Sequence, residues 1–197
     1  MSIETIVFIS LAGGLLIWAV VSYNAFVAAR NRYENAFSQI DVQLKRRYDL
    51  IPNLVNATSA SLRHERETLE AVVSARRQAM SAEQGAKRDP GSEQALMALA
   101  AAESTLGSSL GRLMALVEDY PELQGDEAVS RLTEELSSTE NRLAFARQAF
   151  NDQITSYNTA IETLPASLIA GVAGFRRAAQ LNSTSRREER EPVAVAL

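Results

Sequence analysis

The sequence predicts an all-α protein: an N-terminal transmembrane helix followed by a long-helix antiparallel bundle of three to four helices. Three observations carry this reading. Residues 5–29 contain no charged side chain. Three later stretches repeat apolar residues at steps of three and four, the period of one helix face. The 9 Gly and 5 Pro are few for 197 residues and sit in clusters, several of them between those stretches.

The membrane segment comes first. Residues 6–21 are almost wholly apolar, and ~20 residues at a helical rise cross a hydrocarbon core. Trp18 and Tyr23 stand where the second interface is expected, a level that favours amphipathic aromatics. A cleaved secretory signal fits poorly despite the small residues Val27-Ala28-Ala29, because Glu4 and no Lys or Arg precedes the apolar run. Arg30, Arg32, Lys45, Arg46 and Arg47 all follow it, so the positive-inside rule puts the N-terminus outside and the remainder in the cytoplasm. Ser10-Leu11-Ala12-Gly13-Gly14 includes a pair of small residues spaced to let two spans approach closely.

Residues 30–165 are expected to form the bundle. The first stretch, residues 22–81, aligns Ile40, Leu44, Tyr48, Ile51, Val55, Leu62 and Leu69 on one face. Pro52 lies inside it, and a proline that removes a backbone donor and crowds the preceding turn predicts a kink or break at residues 50–52. Residues 82–91 read as a loop by composition. Ser92 suits the N-cap of a second helix over residues 92–117. Its seam is Leu96, Leu99, Glu103, Leu106, Leu110, Leu113 and Val117. Glu103 is the misfit, explained either by a basic partner on a neighbouring helix or by a seam that passes through Ala102. Asp126 suits the N-cap of the third helix, which Pro165 stops. Its seam runs Val129, Leu132, Leu136, Thr139, Leu143, Ala146, Phe150, Ile154, Tyr157 and Ile161. Residues 166–175 are small and apolar, suited to docking on the bundle or lying on the membrane surface. Residues 176–197 mix charges with Ser, Thr and Asn and read as a disordered tail.

Composition narrows function. A net charge of −4 leaves no basic excess for nucleic acid, and no Cys means no disulfide and no thiol chemistry. His64-Glu65 resembles the start of a zinc-protease helix, but the second His four residues on is Thr68. A serine nucleophile would need a base, and His64 is the only histidine available for it; one His cannot supply the Glu-x-x-His motif that a di-iron bundle needs on two helices. Asp41, Asp49, Glu65, Glu103 and Glu140 could converge on a metal only inside a bundle. No catalytic, cofactor-binding or metal residue is expected. The informative block is Gln39, Asp41, Gln43, Lys45, Arg46, Arg47 and Asp49, read as a candidate interaction surface for a partner or a second copy. A solvated face with Asp41–Lys45 and Lys45–Asp49 pairs is the plainer alternative.

Several motifs coincide with a known pattern. Tyr23-Asn24, Arg30-Asn31-Arg32 and Asn35-Ala36 lead into the run Gln39-Ile40-Asp41-Val42-Gln43-Leu44-Lys45-Arg46-Arg47. Asp49-Leu50-Ile51-Pro52-Asn53-Leu54-Val55, His64-Glu65, Ala75-Arg76 and Tyr120-Pro121-Glu122-Leu123 follow. Thr139-Glu140-Asn141-Arg142-Leu143-Ala144, Ala146-Arg147, Phe150-Asn151 and Tyr157-Asn158 complete the set. Over roughly residues 1–175 the chain resembles the LemA family of bacterial membrane proteins. The resemblance implies a span with its N-terminus outside the bacterial cytoplasmic (inner) membrane and a cytoplasmic antiparallel bundle. The family has no established biochemical activity. It includes a magnetosome-membrane branch, and some members are encoded near a membrane zinc metalloprotease of the heat-shock type. The expected function is therefore a non-enzymatic membrane-anchored scaffold or adaptor that self-assembles or assists such a partner. An unrecognised enzyme or metal-dependent activity in the bundle core is the alternative. The arginine- and glutamate-containing tail departs from the commonest family pattern.

Overall fold

The computed structural model describes residues 2–182. Among them every regular element is helical: α1 (Ile3–Thr58), a 3-10 turn (Arg63–Glu65), α2 (Arg66–Arg88), α3 (Glu93–Asp119), the single turn α4 (Pro121–Gln124), α5 (Glu127–Glu162) and α6 (Ala166–Val172). Four long helices make an antiparallel bundle in which α1 lies along α5 and α2 along α3. The caps fall where expected. Ser92 accepts from the Ala95 backbone N–H, and Asp126 Oδ1 accepts from Ala128 and Val129, supplying partners to helix-start donors that have none inside the helix.

The seams are packed as their spacing implies. Leu96, Leu99, Leu106, Leu113, Leu143, Phe150 and Ile154 are nearly or wholly inaccessible to solvent. Between α1 and α5 the filling is aromatic: Phe37 and Tyr33 meet Phe150 edge-on at 5.6 and 6.4 Å, and Tyr33 meets Tyr157 at 5.1 Å. Edge-to-face pairs of this kind add ~0.5–1.5 kcal/mol beyond area burial.

α1 does not break at Pro52. It continues to Thr58, and the chain turns only at residues 59–65. The reason lies on another helix. Proline has no N–H to offer the carbonyl four residues back, which belongs to Tyr48. Arg76 of α2 donates its Nε–H to that Tyr48 oxygen at 2.6 Å. The freed acceptor is satisfied from outside, and the helix persists. The loop expected at residues 82–91 is also largely helix, since α2 extends to Arg88. Gly85 costs a helix interior about 1 kcal/mol relative to Ala. Burial of Ala86 and a 2.7 Å Lys87–Asp41 ion pair to α1 hold this last turn in place.

The C-terminal part returns to the bundle. α6 is stopped just past its cap residue Ala173 by Gly174, whose φ of 76° favours glycine. The Phe175 N–H reaches the Ala170 carbonyl and the Gly174 N–H the Gly171 carbonyl, the paired bonds of a Schellman stop. This turn delivers the Phe175 ring against Tyr23 and Phe26 of α1. Residues 176–182, expected to be disordered, instead pack as a strap with Ala178 and Leu181 buried. Asn158 grips the backbone N–H and C=O of Ala178 at 2.9 and 2.8 Å, and Asn151 does the same for Leu181. The spacing explains why two asparagines seven apart suffice. Seven residues of helix rise about 10 Å, as do three residues of extended chain. The remainder of the expected tail, residues 183–197, lies outside the described residues.

Candidate functional site

The block flagged on α1 divides by helix face. Gln39, Lys45, Arg46 and Asp49 are exposed, and Asp41 and Gln43 are half-buried. Arg47 is not on the surface at all. It is turned into the bundle and 7% exposed. Its Nη1 donates to Glu103 Oε2 of α3 at 2.7 Å and lies 3.2 Å from Glu140 Oε2 of α5. Tyr48 donates its hydroxyl to the other Glu103 oxygen at 2.6 Å. Glu103, the polar misfit on an apolar seam, thus finds a basic partner on a neighbouring helix. Burial and the adjacent Glu103 carboxylate push the Tyr48 hydroxyl well above the usual tyrosine range, so it stays a proton donor.

This cluster borders a cavity of about 160 Å³ lined also by Leu44, Leu99, Gly107, Leu143 and Arg147. Arg147 Nε is buried there without a hydrogen-bond partner among the described residues. The chemistry available is that of a staple joining α1, α3 and α5. Both Glu103 oxygens are engaged, one by Arg47 and the other by Tyr48. His64 stands exposed in the 3-10 turn between α1 and α2. Among the described residues no three His, Asp or Glu side chains gather closely enough to hold a metal ion.

A second polar group sits at the surface edge of α1 and α2. Asp41 pairs with Lys87 across the helices rather than with Lys45 along its own. Glu83 shares the site. Desolvation and the neighbouring Asp41 carboxyl raise its pKa to about 7, while hydrogen bonds from Glu83 and Lys87 hold Asp41 below the ordinary aspartate range. Arg46 reaches Glu135 of α5 at 3.5 Å with both side chains about half exposed, a pair of small worth.

Sequence reasoning passed over Arg76, Asn151 and Asn158 as structural keys. The signal for the asparagines was present in Phe150-Asn151 and Tyr157-Asn158. In each pair the aromatic residue enters the core against α1 and the amide clamps the strap.

The fold and site define an antiparallel helical bundle carrying one helix long and apolar enough to cross a membrane, with an ionic staple in its core. The chain belongs to the LemA family, whose family model matches residues 36–197. It is 33% identical over 174 residues to the magnetosome protein MamQ of Magnetospirillum gryphiswaldense, covering 80% of this chain and 64% of that protein. It is 28% identical to the magnetosome proteins MamQ 1 and MamQ 2 of Paramagnetospirillum magneticum, covering 81% of this chain and 64% of each. The chain therefore spans somewhat less than two thirds of the length of these relatives.

Proposed function

We propose that this chain is a non-enzymatic, membrane-anchored scaffold or adaptor of the bacterial cytoplasmic membrane, with its N-terminus outside and its bundle in the cytoplasm. One observation carries the reading: anchor and bundle spine are the same helix. α1 projects residues up to about 21 as exposed apolar surface, and the same helix is buried from Phe26 onward. A partner bound to the bundle is then held at a fixed height and angle to the bilayer, which a flexible linker would not achieve. The basic residues after the apolar run support the orientation. Membership of a family that includes magnetosome proteins supports a role at a membrane.

The exposed members of the α1 block supply the contact surface in this reading. Gln39, Lys45, Arg46 and Asp49 face outward beside Val42, which is 56% exposed. The occupant is a second copy or a membrane protein partner. After an alkaline carbonate wash the chain should remain with the membrane, and a C-terminal tag should resist protease added to intact cells. Release by carbonate would remove the anchor, and cleavage of the tag would reverse the topology. In mild detergent the Lys45→Glu/Arg46→Glu variant should run as a smaller complex than wild type while unfolding at nearly the same temperature. An unchanged complex size would eliminate this face as the contact.

A further inference from the structure

We infer that residues 163–175, from the end of α5 through α6 to Phe175, form a second lipid-contacting element that lies at the boundary of acyl chains and headgroups beside α1. This rests on the reading of α1 as a membrane span.

The composition is the first ground. Between Glu162 and Arg176 there is no charged side chain. Three large apolar residues of this segment are exposed, Leu164 at 75%, Leu168 at 68% and Val172 at 94%, while Ile169 and Phe175 are half-buried against the bundle. Exposed apolar side chains elsewhere on the bundle, such as Val42, Met97 and Phe145, are scattered singly, as on any soluble surface. Here three stand at steps of four, with the inward side given to Ala170, which is buried. A grouped apolar face of this kind needs an occupant.

Placement names the occupant. The Phe175 ring lies 5.5 Å from Tyr23 and 5.3 Å from Phe26, both within the uncharged run that ends before Arg30. Phe26 precedes Arg30 by four residues, about 6 Å of helix rise. α6 therefore docks where the span leaves the bilayer and continues the apolar surface of α1 sideways. Exposed Arg176 and Arg177 follow at once, and exposed Arg30 and Arg32 follow on α1. Basic residues at that level suit phosphate headgroups.

The backbone is prepared for a medium short of water. Thr163, Ser167, Leu168, Ala173, Gly174 and Phe175 all donate their N–H groups to carbonyls of the same segment or of the last turn of α5. Position 165 is Pro and has no N–H to satisfy. Such internal bonds lower the cost of bringing these groups to the lipid boundary.

The chain has no cysteine, so Leu168→Cys, Val172→Cys, Phe145→Cys and Leu15→Cys each create one labelling site on an exposed side chain. Each full-length variant is labelled with bimane and reconstituted into phosphatidylethanolamine–phosphatidylglycerol nanodiscs, with helix content checked by circular dichroism. Quenching by shallow doxyl lipids should be at least roughly twofold greater at positions 168 and 172 than at 145, as for an interfacial helix. The label at 15 reports the span through deep doxyl lipids. Deep quenching at 15 with none at 168 and 172 would overturn the second contact and leave the span standing. No quenching at 15 would overturn the span reading itself. Labels at 168 and 172 shielded from both doxyl lipid and aqueous iodide would mean a protein occupant, such as a second copy, and would equally overturn the inference.

Discussion

The two ends of α1 contrast sharply, although they belong to one unbroken helix. Up to about residue 21 its apolar side chains are exposed on every side, with Leu11, Leu16 and Ile17 all above 60%. Beyond Phe26 most of its large apolar residues lie on one stripe, buried through Tyr33, Phe37, Ile40, Leu44 and Tyr48, with Val42 an exposed exception. Both ends are helical, so the difference is one of surroundings. An all-round apolar helix matches lipid, whereas an amphipathic one matches a protein partner on one side and water on the other. The comparison teaches that composition reports the solvent, and periodicity reports the neighbour.

The largest effect should come from removing the partner of the lower end. Phe150, wholly buried against Tyr33 and Phe37, should cost about 3–5 kcal/mol when truncated to Ala. Leu16→Ala in the upper end removes no bundle contact. Chemical unfolding of the full chain in detergent should show a large shift for the first and almost none for the second. Equal shifts would erase the contrast.

Two adjacent arginines sharpen it next. Arg47→Ala strands the buried Glu103 carboxylate and should cost about 3–5 kcal/mol. Arg46→Ala loses only an exposed pair with Glu135, worth ~0–1 kcal/mol. A melt of each single variant checks the ranking, and Arg47→Met combined with Glu103→Leu should recover much of the loss. If Arg46→Ala proves the costlier change, the burial assignment of the α1 face is wrong.

A smaller effect tests why the lower end is continuous at Pro52. Arg76→Ala should cost about 1–3 kcal/mol by leaving the Tyr48 carbonyl without a donor. In a Pro52→Ala background the helix supplies that N–H itself, so the same change should cost less. Additive losses in the double-mutant cycle would refute the explanation.

The smallest effect is electrostatic. The pKa of Glu83 is raised in the folded chain from 4.5 to about 7. Between those values the unfolded chain releases the proton that the folded chain keeps, so this residue's contribution to stability falls as pH rises. The contribution is complete below about pH 4.5 and lost above about pH 7. Because Glu83 is partly solvated, the slope should be shallow, and Glu83→Gln should flatten it. A stability curve whose slope from pH 4.5 to 7 is the same in both proteins would remove the Glu83–Asp41 coupling.

Sequence alone was sufficient for the apolar run of α1 and for the seams, because both depend on short-range pattern, but it left the bundle at three to four helices. Absence of charge over residues 5–29 and the three-four repeats through Leu143 and Phe150 need no knowledge of the fold. It also marked Glu103 as a residue in need of a partner. It could not say that Arg47 would supply one while Arg46 faced water, since adjacent residues on a helix point about 100° apart and only the position of α3 chooses between them. Nor could it keep α1 intact through Pro52, extend α2 past Gly85, or order residues 176–182. In each case a local cost is offset by a group distant in sequence: Arg76, Asp41, or the two asparagines of α5. Local pattern determines which elements form, and tertiary structure decides where they stop, because the bonds that settle those ends come from other helices.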